Sequence, residues 1–176
     1  LDEFCRFVNE NTILISFPDS IEAAHDPVKK ITLDRMKINY EILKNATDQD
    51  GKPFTIIKMP VPDIDYMTFA LDTASKNNEI KFLSQQILYE QKRFSVGDTV
   101  HFVPSSSYLN FLITNKTIFE AKYWSEGQHE SSKAKDEMVK QILQQYFPEK
   151  RIYQINTAET SHHGGGLHCW SMQVPK

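Results

Sequence analysis

Two short β-branched, apolar runs on either side of a helix-length amphipathic stretch constrain this chain more than any other feature. Residues 12–17 (Thr-Ile-Leu-Ile-Ser-Phe) and 54–59 (Phe-Thr-Ile-Ile-Lys-Met) have strand composition and are closed by Pro18-Asp19 and by Pro60 and Pro62. Between them Ile31, Met36, Tyr40 and Leu43 recur at helical steps over residues 27–45, with Asp26 as cap and Pro27 as first position. Asp48-Gln49-Asp50-Gly51 then reads as a turn. Strand, helix and strand in that order predict an α/β chain.

The pattern continues. Residues 99–103, 108–114 and 117–122 read as three short strands, the last two separated by Asn115-Lys116, which is hairpin length. Ala134, Met138, Ile142 and Tyr146 fall at four-residue steps, with Leu143 and Phe147 adjoining, and predict a helix over 132–147 that Pro148 ends. Residues 151–155 read as another strand and 167–171 as the last. Residues 63–78 are polar without a period. Ile80, Leu83, Ile87 and Tyr89 predict a helix over 78–92, so 63–92 reads as an insertion or lid. Because the strands come in adjacent groups as well as alternating with helices, repeated small β/α units fit better than one doubly wound parallel sheet.

At 176 residues the chain suits one domain with a real core. Its 20 Lys+Arg against 23 Asp+Glu give a formal charge of −3 with no dense basic run, which argues against nucleic acid and membrane surfaces and for a small or neutral partner. No apolar run approaches the ~20 residues of a spanning helix. Cys5 and Cys169 lie at opposite ends and form no disulfide framework, so free thiols in a reducing, cytoplasmic compartment are expected. The chain opens on Leu1 and runs into the strand pattern without a polar leader, as expected of part of a longer protein.

The densest chemistry is Ser161-His162-His163-Gly164-Gly165-Gly166-Leu167-His168-Cys169-Trp170-Ser171-Met172. A nucleotide-phosphate loop would follow its glycines with a Lys-Ser/Thr pair and a helix; here they lead into Leu-His-Cys-Trp-Ser. A zinc site would space its ligands so that pairs converge, whereas His162-His163 and His168-Cys169 are neighbours that point apart on a strand. No metal is expected. Cys169 is then a nucleophile that needs a nearby cation or histidine to populate its thiolate, or an inert core thiol; composition alone favours the core thiol.

Gly164-Gly165-Gly166-Leu167-His168-Cys169, followed by Ser171, Gln173 and Pro175, resembles the Gly-Gly-x-x-His-Cys-x-Ser/Thr-x-Gln signature of the agmatine deiminase and Porphyromonas-type peptidylarginine deiminase family. Asp2-Glu3-Phe4-Cys5-Arg6-Phe7-Val8 is similar to that family's His-x-Asp-x-Phe-x-x-Phe-Val segment, and Ser107-Tyr108-Leu109-Asn110-Phe111 to its Ser-Tyr-x-Asn-Phe segment. The three matches run in the family's order from one end of the chain to the other. The resemblance implies a pentein α/β propeller, built from repeated ββαβ units around a central channel, of which this chain is the C-terminal part.

It also implies roles. Cys169 would attack a guanidinium carbon, and Asp2 would be a catalytic carboxylate that accepts the guanidinium N–H groups. The family's histidine would be the residue before Leu1, and a second carboxylate would belong to the absent N-terminal half. Asn110 either lines the channel or ties two strands together. Gly164 and Gly165 match the family's glycines beside the substrate, whereas Gly166 stands where agmatine deiminases often carry Asn. His168 is read as structural support, His162 and His163 as loop residues near the channel mouth, and Trp170 and Met172 as core. The implied substrate is agmatine or an arginine-containing peptide, with no cofactor. The implied partner is the N-terminal half of the same protein, and a homo-oligomer is left open.

Overall fold

A computed structural model of the chain describes residues 3–63, 65–70, 87–88, 92–93, 97–172 and 174. They fall into two compact units, Leu1–Asp63 with Ser105–Lys176, and Ile64–Pro104.

The larger unit opens with strand β1 (Cys5–Phe7), strand β2 (Thr12–Ser16), helix α1 (Ser20–His25), helix α2 (Pro27–Lys44) and strand β3 (Thr55–Met59). β1 pairs antiparallel with β2, and β2 pairs parallel with β3, so the two helices are the crossover that a parallel pair requires. Both helices start as their sequence dictates: Asp19 accepts from the amides of Ile21 and Glu22, and Asp26 from those of Val28 and Lys29 ahead of Pro27. The expected turn is present, with Asp48 Oδ1 accepting from the amides of Asp50 and Lys52. Helix α1 and strand β1 lie outside the elements expected from sequence, being only six and three residues long.

In the smaller unit, strand β4 (Met67–Ala70) pairs antiparallel with strand β7 (Thr99–Phe102), and strand β5 (Ile87–Leu88) pairs antiparallel with strand β6 (Lys92–Arg93). Most of the helix expected over 78–92 lies outside the described residues. Its described part is these short paired strands, not a helix.

The larger unit resumes with strands β8 (Leu112–Ile113) and β9 (Thr117–Lys122), helix α3 (Glu130–Tyr146), strand β10 (Arg151–Asn156) and helix α4 (Ala158–His162). β8 and β9 form the expected hairpin around Asn115-Lys116, and β9 pairs parallel with β10 after the α3 crossover. The order is again antiparallel neighbour, strand, helix and parallel strand, so β1–β3 and β8–β10 are two ββαβ units of one topology. Leu14 of β2, Met59 of β3, Ile118 of β9, and Val139 and Leu143 of α3 share one buried core with Tyr108, Leu109, Phe111 and Phe147.

Three expectations are corrected. The strand over 108–114 shrinks to β8, because residues 107–111 form a buried irregular loop whose polar groups are met by side chains. Arg6 donates to the carbonyls of Leu109 and Phe111, and Ser107 Oγ accepts from the Leu109 amide. Residues 167–171 form a turn and not a strand, closed by the Trp170 amide on Gly166 O (3.2 Å) and the Ser171 amide on His168 O (3.1 Å). Helix α3 buries Ser132, Lys135, Asp136, Val139 and Leu143, leaving Ala134 and Met138 exposed. Ile142, Leu143, Tyr146 and Phe147 do face the core, but towards the start of the helix the inner stripe is polar, so apolar periodicity found the helix and misplaced only its first half.

That stripe carries a charge cluster. Lys29 of α2 and Lys135 of α3 each contact both Glu22 of α1 and Asp63, at 2.6–3.0 Å, and Ser131 and Ser132 also donate to Asp63. Burial opposes charge on Lys29, but its bonds to Glu22 and Asp63 outweigh that and push its pKa to about 12. Burial likewise opposes charge on Asp63, yet the donors Lys135, Lys29, Ser132 and Ser131 hold its carboxyl well below the usual range. Among the described residues no helix is long and apolar enough to cross a membrane.

Candidate active site

Helix α4 ends inside the histidine-glycine stretch. His162 is its last residue, His163 is its C-cap, and Gly164 follows with φ +84°, the left-handed conformation that commonly stops a helix. The glycines therefore sit at the carbonyl end of a helix, where its dipole disfavours an anion. His163 is exposed, 3.6 Å from Glu159, and His162 is half-buried.

Gly165 and Gly166 are buried and carry the chain past Asn110 into the turn that presents Cys169. A Cβ on Gly166 would lie 2.6 Å from Asn110 Oδ1, so this glycine is what lets the turn come down onto the amide. Asn110 itself is 1% exposed. Its Oδ1 accepts from the amides of His168 (2.9 Å) and Cys169 (3.3 Å), and its backbone carbonyl accepts from the His168 amide at 3.2 Å. Its Nδ2 donates to Glu3 Oε1 at 2.8 Å and to Cys169 Sγ at 3.0 Å. One buried amide thus shapes the backbone of the turn with its oxygen and faces the sulfur and a carboxylate with its nitrogen.

Glu3 is fixed from behind. Its carbonyl accepts from Ser107 Oγ at 2.6 Å and Ser16 Oγ at 3.2 Å, and its Oε1 accepts from Cys169 Sγ at 3.7 Å. Ser107 in turn bonds the hydroxyl of the half-buried Tyr123 through both its amide and its carbonyl. Tyr108, on the same loop, donates to the buried Asp136 at 2.7 Å; burial and then the Asp136 contact push its phenol far above the ordinary range. The loop bearing Asn110 is therefore locked to Tyr123, just after β9, and to α3.

The structure brings together Asn110, Cys169 and the buried glycines. Asp2 lies outside the described residues. Cys5 and Cys169 both remain thiols, and Cys169 is exposed. The backbone of His168 holds the turn: its amide bonds Asn110 and its carbonyl accepts from Ser171. The strand argument that set His168 opposite Cys169 does not apply to a turn. Trp170 and Met172 are corrected from core to surface, at 64% and 86% exposure. Sequence reasoning missed Glu3, Gly166, Ser107 and Arg6. A signal for Glu3 was its place in the Asp2–Val8 match; that for Gly166 was an extra glycine where another side chain was expected.

Chemically, an exposed thiol beside a carboxylate and a fixed amide donor suits attack on a planar cationic carbon, because the carboxylate can hold the cation while the sulfur attacks.

The chain is similar to the agmatine deiminases of Pseudomonas fluorescens and Pseudomonas syringae pv. syringae, at 26% and 27% identity over 175 residues. Each alignment covers 99% of this chain and 40% of the relative, so the chain spans about two fifths of the curated relatives it matches. Its fold is similar to that of the Enterococcus faecalis agmatine deiminase, with TM-score 0.59 and 21% identity over 95% of this chain and 38% of that one. The C. jejuni agmatine deiminase has TM-score 0.56 and 18% identity over 96% of this chain and 36% of that one. With the model of the Porphyromonas-type peptidyl-arginine deiminases matching residues 1–175, this chain belongs to that family.

Proposed function

We propose that this chain carries the cysteine side of a guanidine deiminase site, with agmatine as substrate and N-carbamoylputrescine and ammonia as products. The observation that carries the reading is Asn110, whose amide nitrogen faces Cys169 Sγ at 3.0 Å while its oxygen holds the backbone of the nucleophile's turn. The sulfur of Cys169 attacks the guanidinium carbon and forms a C–S bond. Cleavage of a C–N bond then releases ammonia, protonated by the histidine expected before Leu1. Water adds to the thiouronium carbon, the C–S bond breaks, and the ureido product leaves with the thiol restored.

Asp2 accepts guanidinium N–H groups in this scheme, and Gly164 and Gly165 leave space beside the substrate. The two ββαβ units of like topology support an α/β propeller whose remaining units, with the second carboxylate, belong to an N-terminal half. Peptidylarginine is the alternative substrate, favoured by the family whose model matches.

Ammonia release by the intact protein from agmatine, free arginine and an arginine-containing peptide tests the reading. Turnover of agmatine, lost in Cys169→Ala, is expected. Turnover of none of the three, or turnover that survives the substitution, overturns it. A second reading, a non-catalytic module that needs its missing half, is favoured by the two-fifths coverage of the relatives; activity of the 176-residue chain alone contradicts it.

A further inference from the structure

We propose that Glu3 is a substrate-positioning carboxylate, accepting a guanidinium N–H beside the sulfur. The inference rests on the deiminase reading and adds a residue whose role the family match does not supply. Its geometry is specific. A reacting carbon about 3–3.5 Å from sulfur, with a nitrogen about 2.8 Å from an acceptor oxygen, needs that oxygen close beside the sulfur. Glu3 Oε1 accepts from Cys169 Sγ at 3.7 Å. A planar cation lying over Sγ can therefore direct one N–H at Glu3, taking the place of the thiol proton as donor to the oxygen that also accepts from Asn110 once the sulfur is a thiolate.

The residue is aimed and not merely nearby. Ser107 Oγ and Ser16 Oγ clamp its carbonyl from two sides, and Asn110 Nδ2 holds Oε1 on the sulfur side of the side chain. Among the described residues, the other charged or titratable groups of the segments around the thiol include Arg6 and His168. Arg6 is turned to the Leu109 and Phe111 carbonyls and lies over the Phe111 ring, 4.6 Å from its centroid. His168 bonds through its backbone to Asn110 and Ser171.

A purely structural Glu3 would serve as well as glutamine, which keeps an oxygen acceptor for Asn110 and loses only the charge. The test compares two alkylating reagents on the intact protein, with modification read at Cys169 by peptide mass. Chloroacetamidine is a planar cation; iodoacetamide is neutral and of similar size. In each case the sulfur displaces halide and forms one C–S bond.

Glu3→Gln is expected to slow modification by the cation at least tenfold relative to the neutral reagent, and Glu3→Asp to keep most of the preference. Equal slowing of both reagents, slowing of neither, or equal loss of preference in both variants overturns the proposal. Loss of preference in Glu3→Gln from a parent protein that turns over no guanidine sinks the deiminase reading while Glu3 still binds the cation. Turnover of agmatine with an unchanged preference sinks the Glu3 proposal alone.

Discussion

Gly166 and Asn110 approach so closely that a methyl group on the glycine would lie 2.6 Å from Asn110 Oδ1 and 2.9 Å from its Cβ and Cγ. Asn110 has little room to yield, because five hydrogen bonds tie it to the turn, the sulfur and Glu3. Gly166→Ala is therefore expected to displace the amide and the thiol together. A misplacement on the order of 1 Å costs about 10²-fold in rate. Steady-state turnover of agmatine by the intact protein measures it, and a loss under threefold contradicts the contact.

Asn110 can be divided into its two ends by substitution. Asn110→Ala leaves the amides of His168 and Cys169 without the Oδ1 acceptor, which costs about 1–3 kcal/mol of stability. Asn110→Asp keeps an oxygen for both amides but sets a second carboxylate where Glu3 Oε1 now meets a donor at 2.8 Å. Like charges in contact make this variant less stable at pH 7 than at pH 4, relative to the parent at each pH. Urea denaturation at the two pH values checks the order.

The cluster of Lys29, Lys135, Glu22 and Asp63 joins the crossover helices of the two ββαβ units. Removing one charge strands the others: Asp63→Asn or Lys135→Met is expected to cost about 3–5 kcal/mol, as for other buried pairs broken on one side. Removing both together should cost less than the sum of the two, and additive effects in a double-mutant cycle would refute the coupling. The pH windows follow from the shifts. Asp63's lowered pKa gives stability that is complete above about pH 4 and lost as the pH falls further. Lys29's gives stability complete below about pH 10 and lost as the pH rises through about 12.

Much of this architecture was legible in the chain because local signals agreed. Asp26-Pro27 opens α2, Asn115-Lys116 turns the β8–β9 hairpin, and the apolar pattern located α3. The rest depended on partners distant in sequence. Lys135 and Asp136 look like surface residues until Asp63, Glu22, Tyr108 and the amides of Tyr123 and Trp124 meet them. Leu167, His168 and Cys169 read as extended because a turn closed by backbone bonds to Gly166 and His168 leaves no mark in composition. The matches at Cys169 and Asn110 pointed to two residues, but their contact, 59 positions apart, is a product of folding. Glu3 lay inside the Asp2–Val8 match, but its contact with a sulfur 166 positions away is likewise a product of folding.

Glu120, given no role from sequence, is fully buried on β9, with its Oε1 3.3 Å from Gln154 Nε2 and its Oε2 without a hydrogen bond. Burial raises its pKa to about 8, against the opposing Gln154 bond and with the help of nearby Asp136, so the folded protein holds it neutral at pH 7. In the unfolded chain the same carboxyl ionises near pH 4.3. The folded state therefore binds more protons between those values, and stability falls as the pH rises from about 4.3 to about 8, then levels off. Glu120→Gln keeps the shape without the ionisable proton. It is expected to leave stability nearly unchanged at pH 4 and to raise it progressively towards pH 8, flattening the slope. Denaturation midpoints of parent and variant across pH 4–8 measure the difference, and parallel profiles would show that Glu120 does not keep its proton in the fold.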